Sequence, residues 1–364
     1  MLIKLLLFFV FGISSIINQS KKDDFNNDLL FIQKTLFENH PGVVNTLDPH
    51  FLEGLNANCK VAEEKLSRAR SESEKALILK ELGESFHDSH LWIHYDAYKL
   101  KTLQAKKKTL FEIDELKQGV YWITIPSFQP SDEGIKQINE VIQILPDLCE
   151  QTLVLDLRGN GGGNSAWGES FLEAIFGKEY VHQQLKKIRS DLYIEWRISE
   201  GNLNHVKEFI PSFTRQFGEN HPIVSYFENI FQGMEAGLFL KEQYYLEPSD
   251  VDYTALEQYA NCFKGQIYVI IDKGCGSACL DFLDGLKAMN SSVVFIGETT
   301  NSDSVYMELR VVSLPSGKGT LGFPIKVYRN RVRGHNVPHQ PDIQYDGDLK
   351  DTLKLQKFLL QTLI

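Results

Sequence analysis

Two rhythms of apolar residues divide the chain. In "NDLLFIQKTLFENHPG" and "EKLSRARSESEKALILKELGESF" apolar side chains return every three or four positions, which gathers them on one face, so residues 24 to about 88 predict a helical N-terminal subdomain. From Gly119 the rhythm changes. "GVYWITIPSF", "QTLVLDLRGNGGGN", "GQIYVIID" and "SVVFIGETT" are short runs rich in branched apolar residues, separated by the helical patterns "DEGIKQINEVIQIL", "SAWGESFLEAIFG" and "ACLDFLDGLKAM". Strand-helix units whose strands are apolar on both faces predict a largely parallel, buried sheet, hence an α/β core at roughly 116–350. Between Tyr180 and Pro248 an aromatic-rich stretch interrupts the unit spacing. It predicts a mostly helical insertion, about 180–250, forming a lid or wall beside a site.

Composition narrows the class. With 364 residues, 43% of them hydrophobic, the chain has material for one large domain or two unequal ones. A formal net charge of -10 argues against a partner held through its phosphate backbone, so no nucleic acid is expected. The basic run "KLKTLQAKKKTL" reads as a solvated loop or helix face. At the N-terminus Lys4 precedes an apolar stretch over residues 5–17, too short to span a bilayer comfortably, so residues 1–20 read as a signal peptide. Export to the periplasm or outside follows, with an uncleaved N-terminal anchor as the variant. Five scattered cysteines, Cys59, Cys149, Cys262, Cys275 and Cys279, do not form a disulfide framework, and most of them read as small buried apolar side chains.

The candidate chemistry lies in "KGCGSACLDFLDGLKAM". Ser277 stands where a strand ends and a helix begins, beside free amides and a positive helix end suited to an oxyanion. The same position suits a helix N-cap, and both readings stand at this level. The glycines of "LVLDLRGNGGGNS" allow a backbone to approach a ligand, and the amides of Gly161 and Gly162 could face the serine. No Gly-Lys-Ser/Thr follows, so the loop is not a phosphate cradle. A serine nucleophile needs a base. "GESFHDSHLWIHYD" supplies His87, His90 and His94 at a turn entering a strand, without the spacing of a zinc site, and no metal or cofactor is expected. Cys275 and Cys279 flank the serine and define a thiol alternative. Asp156 and Arg158 read as a structural pair fixing the glycine loop.

Taken in order, "HDSHL", "GVYWITIPSF", "LVLDLRGNGGG", "IYVIIDKGCGSA", "VVFIGETT" and "NVPHQPDI" resemble the C-terminal-processing (tail-specific) serine peptidase family, most closely its tricorn-core branch. The resemblance covers most of residues 86–345. It implies Ser277 as nucleophile, His90 as base with Ser89 orienting it, and an oxyanion hole from Gly161 or Gly162 with Ala278. It also implies a crotonase-like core, a spiral of ββα units over residues 101–364, behind a helical N-terminal subdomain over 21–100. The tail-specific branch carries a catalytic lysine after "GE-T", whereas Ser302 and Asp303 stand there in this chain, which favours the Ser-His version. Only a short segment separates Asp96 from Gly119, so no PDZ domain is inserted. For the third member, the resemblance points to a carboxylate near the C-terminal part of the core, among Asp342, Asp303, Glu298 and Glu308. The expected activity is serine-type hydrolysis of peptides or unfolded protein. The alternative is a decayed binder of the same fold, holding an apolar ligand or an unfolded segment.

Overall fold

The structure is a computed structural model that describes residues 24–95, 110–248, 258–290 and 292–363. The expected leader and most of the basic run lie outside the described residues.

Helices α1 (Asp24–Asn39), α2 (His50–Arg68) and α3 (Glu72–Glu84) precede strand β1 (Trp92–Tyr95). A hairpin of β2 (Glu112–Lys117) and β3 (Val120–Thr124) leads to α4 (Asp132–Ile144), β4 (Thr152–Asp156) and α5 (Ser165–Phe176). The aromatic-rich stretch forms α6 (Lys178–Ile188), β5 (Tyr193–Arg197), α7 (Glu200–Phe217), α8 (Pro222–Leu240) and β6 (Tyr244–Leu246). The chain then runs through β7 (Ile267–Ile271), α9 (Ala278–Met289), β8 (Val294–Gly297), β9 (Tyr306–Ser313), β10 (Gly319–Arg329), β11 (Ile343–Gln344) and α10 (Thr352–Thr362). Local sequence explains many helix starts. Ser71, Ser131, Ser199 and Asp351 each accept a hydrogen bond from a first-turn amide of α3, α4, α7 and α10.

Six strands form the core sheet in the order β11-β8-β7-β4-β3-β2, parallel except for the β2-β3 hairpin. Its apolar strands reflect two buried faces. Leu153 and Leu155 of β4 point to α4, α5 and α9, while Val154 between them points to Leu355 and Leu359 of α10. Phe128, Phe171 and Phe282 meet with ring centroids 5.5–6.4 Å apart, joining the chain after β3 to α5 and α9. That cluster supports the glycine loop from below, because Phe128 donates to Gly162 O at 2.9 Å and accepts from Asn164 N at 2.8 Å.

The second sheet is antiparallel and built around β10. One edge of β10 pairs with β9; the other pairs first with β1 and then with β5, outside which β6 lies. Its inner face packs on α1, α2, α3, α7 and α8 through Leu36, Leu55, Leu79, Val206, Ile230, Phe323 and Ile325. The helical N-terminal segment is therefore not closed on itself. Strands from the insertion and from the C-terminal third complete its core.

Candidate active site

Ser277 sits between β7 and α9 with φ 52° and ψ −125°. A side chain rarely adopts such backbone angles, which cost about 1–3 kcal/mol and persist where the surroundings enforce them. The N-cap alternative fails on this geometry, because Ser277 makes no side-chain capping bond to α9. Its Oγ instead lies 3.2 Å from His90 Nε2.

The enforcing contacts come from the glycine loop. A Cβ on Gly162, whose φ is +93°, would stand 2.6 Å from Gly276 O and 2.8 Å from both Ala278 N and Ser277 Cβ. Only glycine fits there. Buried Asn160 ties the two turns together: its Nδ2 donates to Ile125 O at 3.0 Å, its Oδ1 accepts from Gly162 N at 2.9 Å, and its carbonyl accepts from Gly276 N at 3.1 Å. Asp272 adds a second tie, with Oδ1 accepting from Gly159 N and Gly274 N, each at 2.9 Å. Sequence reasoning singled out neither residue, although Asn160 stands inside the quoted glycine run. Of the three amides expected to face an oxyanion, that of Gly162 is occupied by Asn160, which removes it from the donor set. The amides of Gly161 and Ala278 meet no acceptor among the described residues.

His90 lies in the turn that leaves α3 and enters β1. Its Nδ1 faces Asp88 Oδ1 at 3.7 Å and has no hydrogen-bond partner among the described residues. Asp88 is buried. Its Oδ1 accepts from the His90 amide at 2.9 Å, and its Oδ2 accepts from Ser304 Oγ at 2.9 Å. A carboxylate on the Nδ1 side selects the tautomer that leaves the Nε2 lone pair toward the Ser277 hydroxyl. Burial pulls the imidazole toward neutrality, but the Asp88 carboxylate facing Nδ1, helped by Asp303 and opposed by Arg331, holds its pKa above the ordinary value. Burial would push Asp88 up; the charge of the His90 ring and the hydrogen bond from the His90 amide more than offset that and hold its carboxyl below the usual range. His40, fully buried against Phe51, is pulled down to about 3 by burial and stays neutral.

The other expected residues are placed as follows. Ser89 is exposed, unlike Asp88 beside it. Asp342 accepts from Phe295 N at 2.7 Å at the start of β8, and Glu308 pairs with Lys326 at 3.1 Å, so each has a partner away from His90. Glu298 is half-buried. Asp303 is fully buried between Arg331 and Arg333. Asp156 and Arg158 pair at 2.7 Å, and Arg158 continues to Thr352 Oγ1 at 3.0 Å, bracing the end of β4 against α10. Cys275 and Cys279 are buried, Cys275 Sγ donates to Leu157 O at 3.1 Å, and burial drives the Cys279 thiol well above its usual pKa. Neither thiol is accessible to a substrate. Among the described residues no group of three or more His, Cys, Asp or Glu could hold a metal ion.

The fold and this site can be set beside known proteins. No curated protein matches the chain. Among solved structures, the chain is similar to a lipoprotein from Streptococcus agalactiae (15% identity, 92% of this chain, 96% of that one, TM-score 0.46). It is also similar to a protein of Parabacteroides merdae (14%, 93%, 97%, TM-score 0.47). A third is the photosystem II D1 C-terminal processing protease (15%, 69%, 49%, TM-score 0.33). The model of peptidase family S41 matches residues 119–346, more than half of the chain and the whole span from β3 to β11. The chain is a mixed α/β member of peptidase family S41.

Proposed function

We propose that the protein is a serine-type peptidase in which Ser277 is the nucleophile, His90 the general base and Asp88 the carboxylate that positions the base. One observation carries this reading: a strained serine hydroxyl, not engaged as a helix cap, stands within proton-transfer reach of an imidazole backed by a buried carboxylate. As Ser277 Oγ bonds to the peptide carbonyl carbon, His90 Nε2 takes its proton and the carbonyl electron pair moves onto oxygen. The amides of Gly161 and Ala278, at the N-terminus of α9, receive that negative charge; one such donor is worth about 3 kcal/mol in the transition state. Collapse of the intermediate breaks the C–N bond, and the leaving amine takes the proton from His90. Water then attacks the acyl-enzyme, giving its proton to His90 and releasing the acid as the proton returns to Ser277.

The wider reading follows the resemblance. The parallel core sheet with helices between its strands supports a crotonase-like spiral core, and the peptide or unfolded-polypeptide substrate follows from the family. Export follows from the leader pattern; no helix of the described residues is long and apolar enough to cross a membrane. The decayed-binder alternative finds no support here. A disused site would have no reason to keep backbone strain at Ser277 or a carboxylate behind His90. Labelling by a serine-reactive fluorophosphonate, with peptide hydrolysis measured alongside, tests the assignment. Wild type should label and Ser277→Ala should not; equal labelling of the two would overturn it.

A further inference from the structure

Asp88 leaves the helical lobe, but the group that fixes its outer oxygen belongs to the segment between β8 and β9. Ser304 is completely buried, and its oxygen accepts from the Tyr306 amide at 2.9 Å. The hydroxyl has one proton to give. Two acceptors compete for it, Asp88 Oδ2 at 2.9 Å and Tyr306 O at 3.3 Å, and the nearer, charged acceptor wins. The Ser304 hydroxyl therefore points at Asp88.

The backbone around Ser304 is held just as firmly. Arg331 Nη2 donates to Asp303 Oδ1 at 2.9 Å, Ser304 O at 3.0 Å and Gly334 O at 2.9 Å. Arg333 also bonds Asp303, and it reaches Asp284 at 2.9 Å and Asp281 at 3.1 Å, both on α9. Since α9 begins immediately after Ser277, one pair of guanidinium groups references both halves of the dyad: Arg331 through Ser304, Asp88 and His90, and Arg333 through α9. Resting on the serine-peptidase reading above, we infer that Ser304 is a positioning residue whose hydroxyl holds the Asp88 carboxylate behind His90, and that the Arg331-Asp303-Arg333 clamp keeps it in register with Ser277.

The test measures the second-order rate of fluorophosphonate labelling of the full chain in Ser304→Ala, Asp88→Ala and the double variant. Ser304→Ala should slow labelling about tenfold, the value of one charge-assisted hydrogen bond. In the Asp88→Ala background the same substitution should change nothing, because Ser304 acts only through that carboxylate. A serine with a general structural role would subtract its tenfold again in the double variant; that result, or an unslowed Ser304→Ala, overturns the inference while leaving the nucleophile assignment standing. Ser304→Cys, nearly isosteric with a weaker donor, supplies the same test where the alanine variant does not fold. It should fall between wild type and alanine, and a rate equal to wild type would overturn the proposal. Labelling that persists in Ser277→Ala would instead remove the reading on which this rests.

Discussion

The turn that bears Ser277 and the turn that bears His90 are built differently. The closest contacts of the serine turn come from neighbouring loops at one edge of the core sheet: Gly162 beneath it, and Asn160 and Asp272 between adjacent strand ends. The histidine turn depends on another part of the chain, since Asp88 is fixed by Ser304, 216 residues away. On the proposed reading, the turn of the nucleophile is set at one edge of the core sheet, whereas the turn of the base takes its place only when the two sheets are seated together.

Breaking the serine turn should have the largest effect. Ser277→Gly should abolish labelling, yet raise the melting temperature, because glycine relieves about 1–3 kcal/mol of backbone strain. An inactive variant with an unchanged or lower melting temperature would show that the positive φ stores no strain. Breaking the histidine turn comes next. Asp88→Asn should lower kcat by up to about 10⁴-fold with the fold intact, because the imidazole loses its tautomeric guide. It should also move the acid limb of the pH-rate profile downward, since Asp88 is the main influence holding His90 above the ordinary value. A limb that stays in place would detach Asp88 from His90.

Gly162→Ala should follow, with labelling slowed by about 10²-fold or more as the loop that carries Gly161 is pushed from the serine turn. Full activity in that variant would mean that the loop yields without cost. The smallest effect concerns pH and stability. His90 binds its proton more tightly folded than unfolded, so its stabilising contribution is complete below the ordinary imidazole value and disappears as pH rises through the raised one. The stability difference between wild type and His90→Gln should therefore shrink from pH 6 to pH 9. The same rise in pH frees the base, so the active protonation state is the less stable one. A difference that widened with pH would contradict the raised pKa.

The same contrast explains what the sequence made legible. The core strands announce themselves because both faces are buried, and Ser277 is visible as the lone hydroxyl where a strand ends and a helix begins, although that position suits an N-cap equally well. His90 was reachable through "HDSHL" once the order of motifs suggested a family. Asp88 stands in that same quoted stretch, but the turn that folds its carboxylate onto the His90 amide leaves no periodic signature, and the family pattern points downstream for the acid. Ser304 was illegible for a different reason: its partner is distant in sequence, and periodicity records faces rather than contacts. The choice between Gly161 and Gly162 needed the direction of the Asn160 side chain, which four adjacent loop residues do not encode.

The eleven residues of β10 have a temporal implication. Trp92–Tyr95, immediately after the base, finds its ladder partners at Gly319–Gly322, so a growing chain cannot set His90 in place until its last third has been made. On the proposed reading, synthesis itself then acts as a safety catch: a polypeptide that ends before β10 carries both the hydroxyl and the imidazole but lacks the strand that seats the turn of the imidazole.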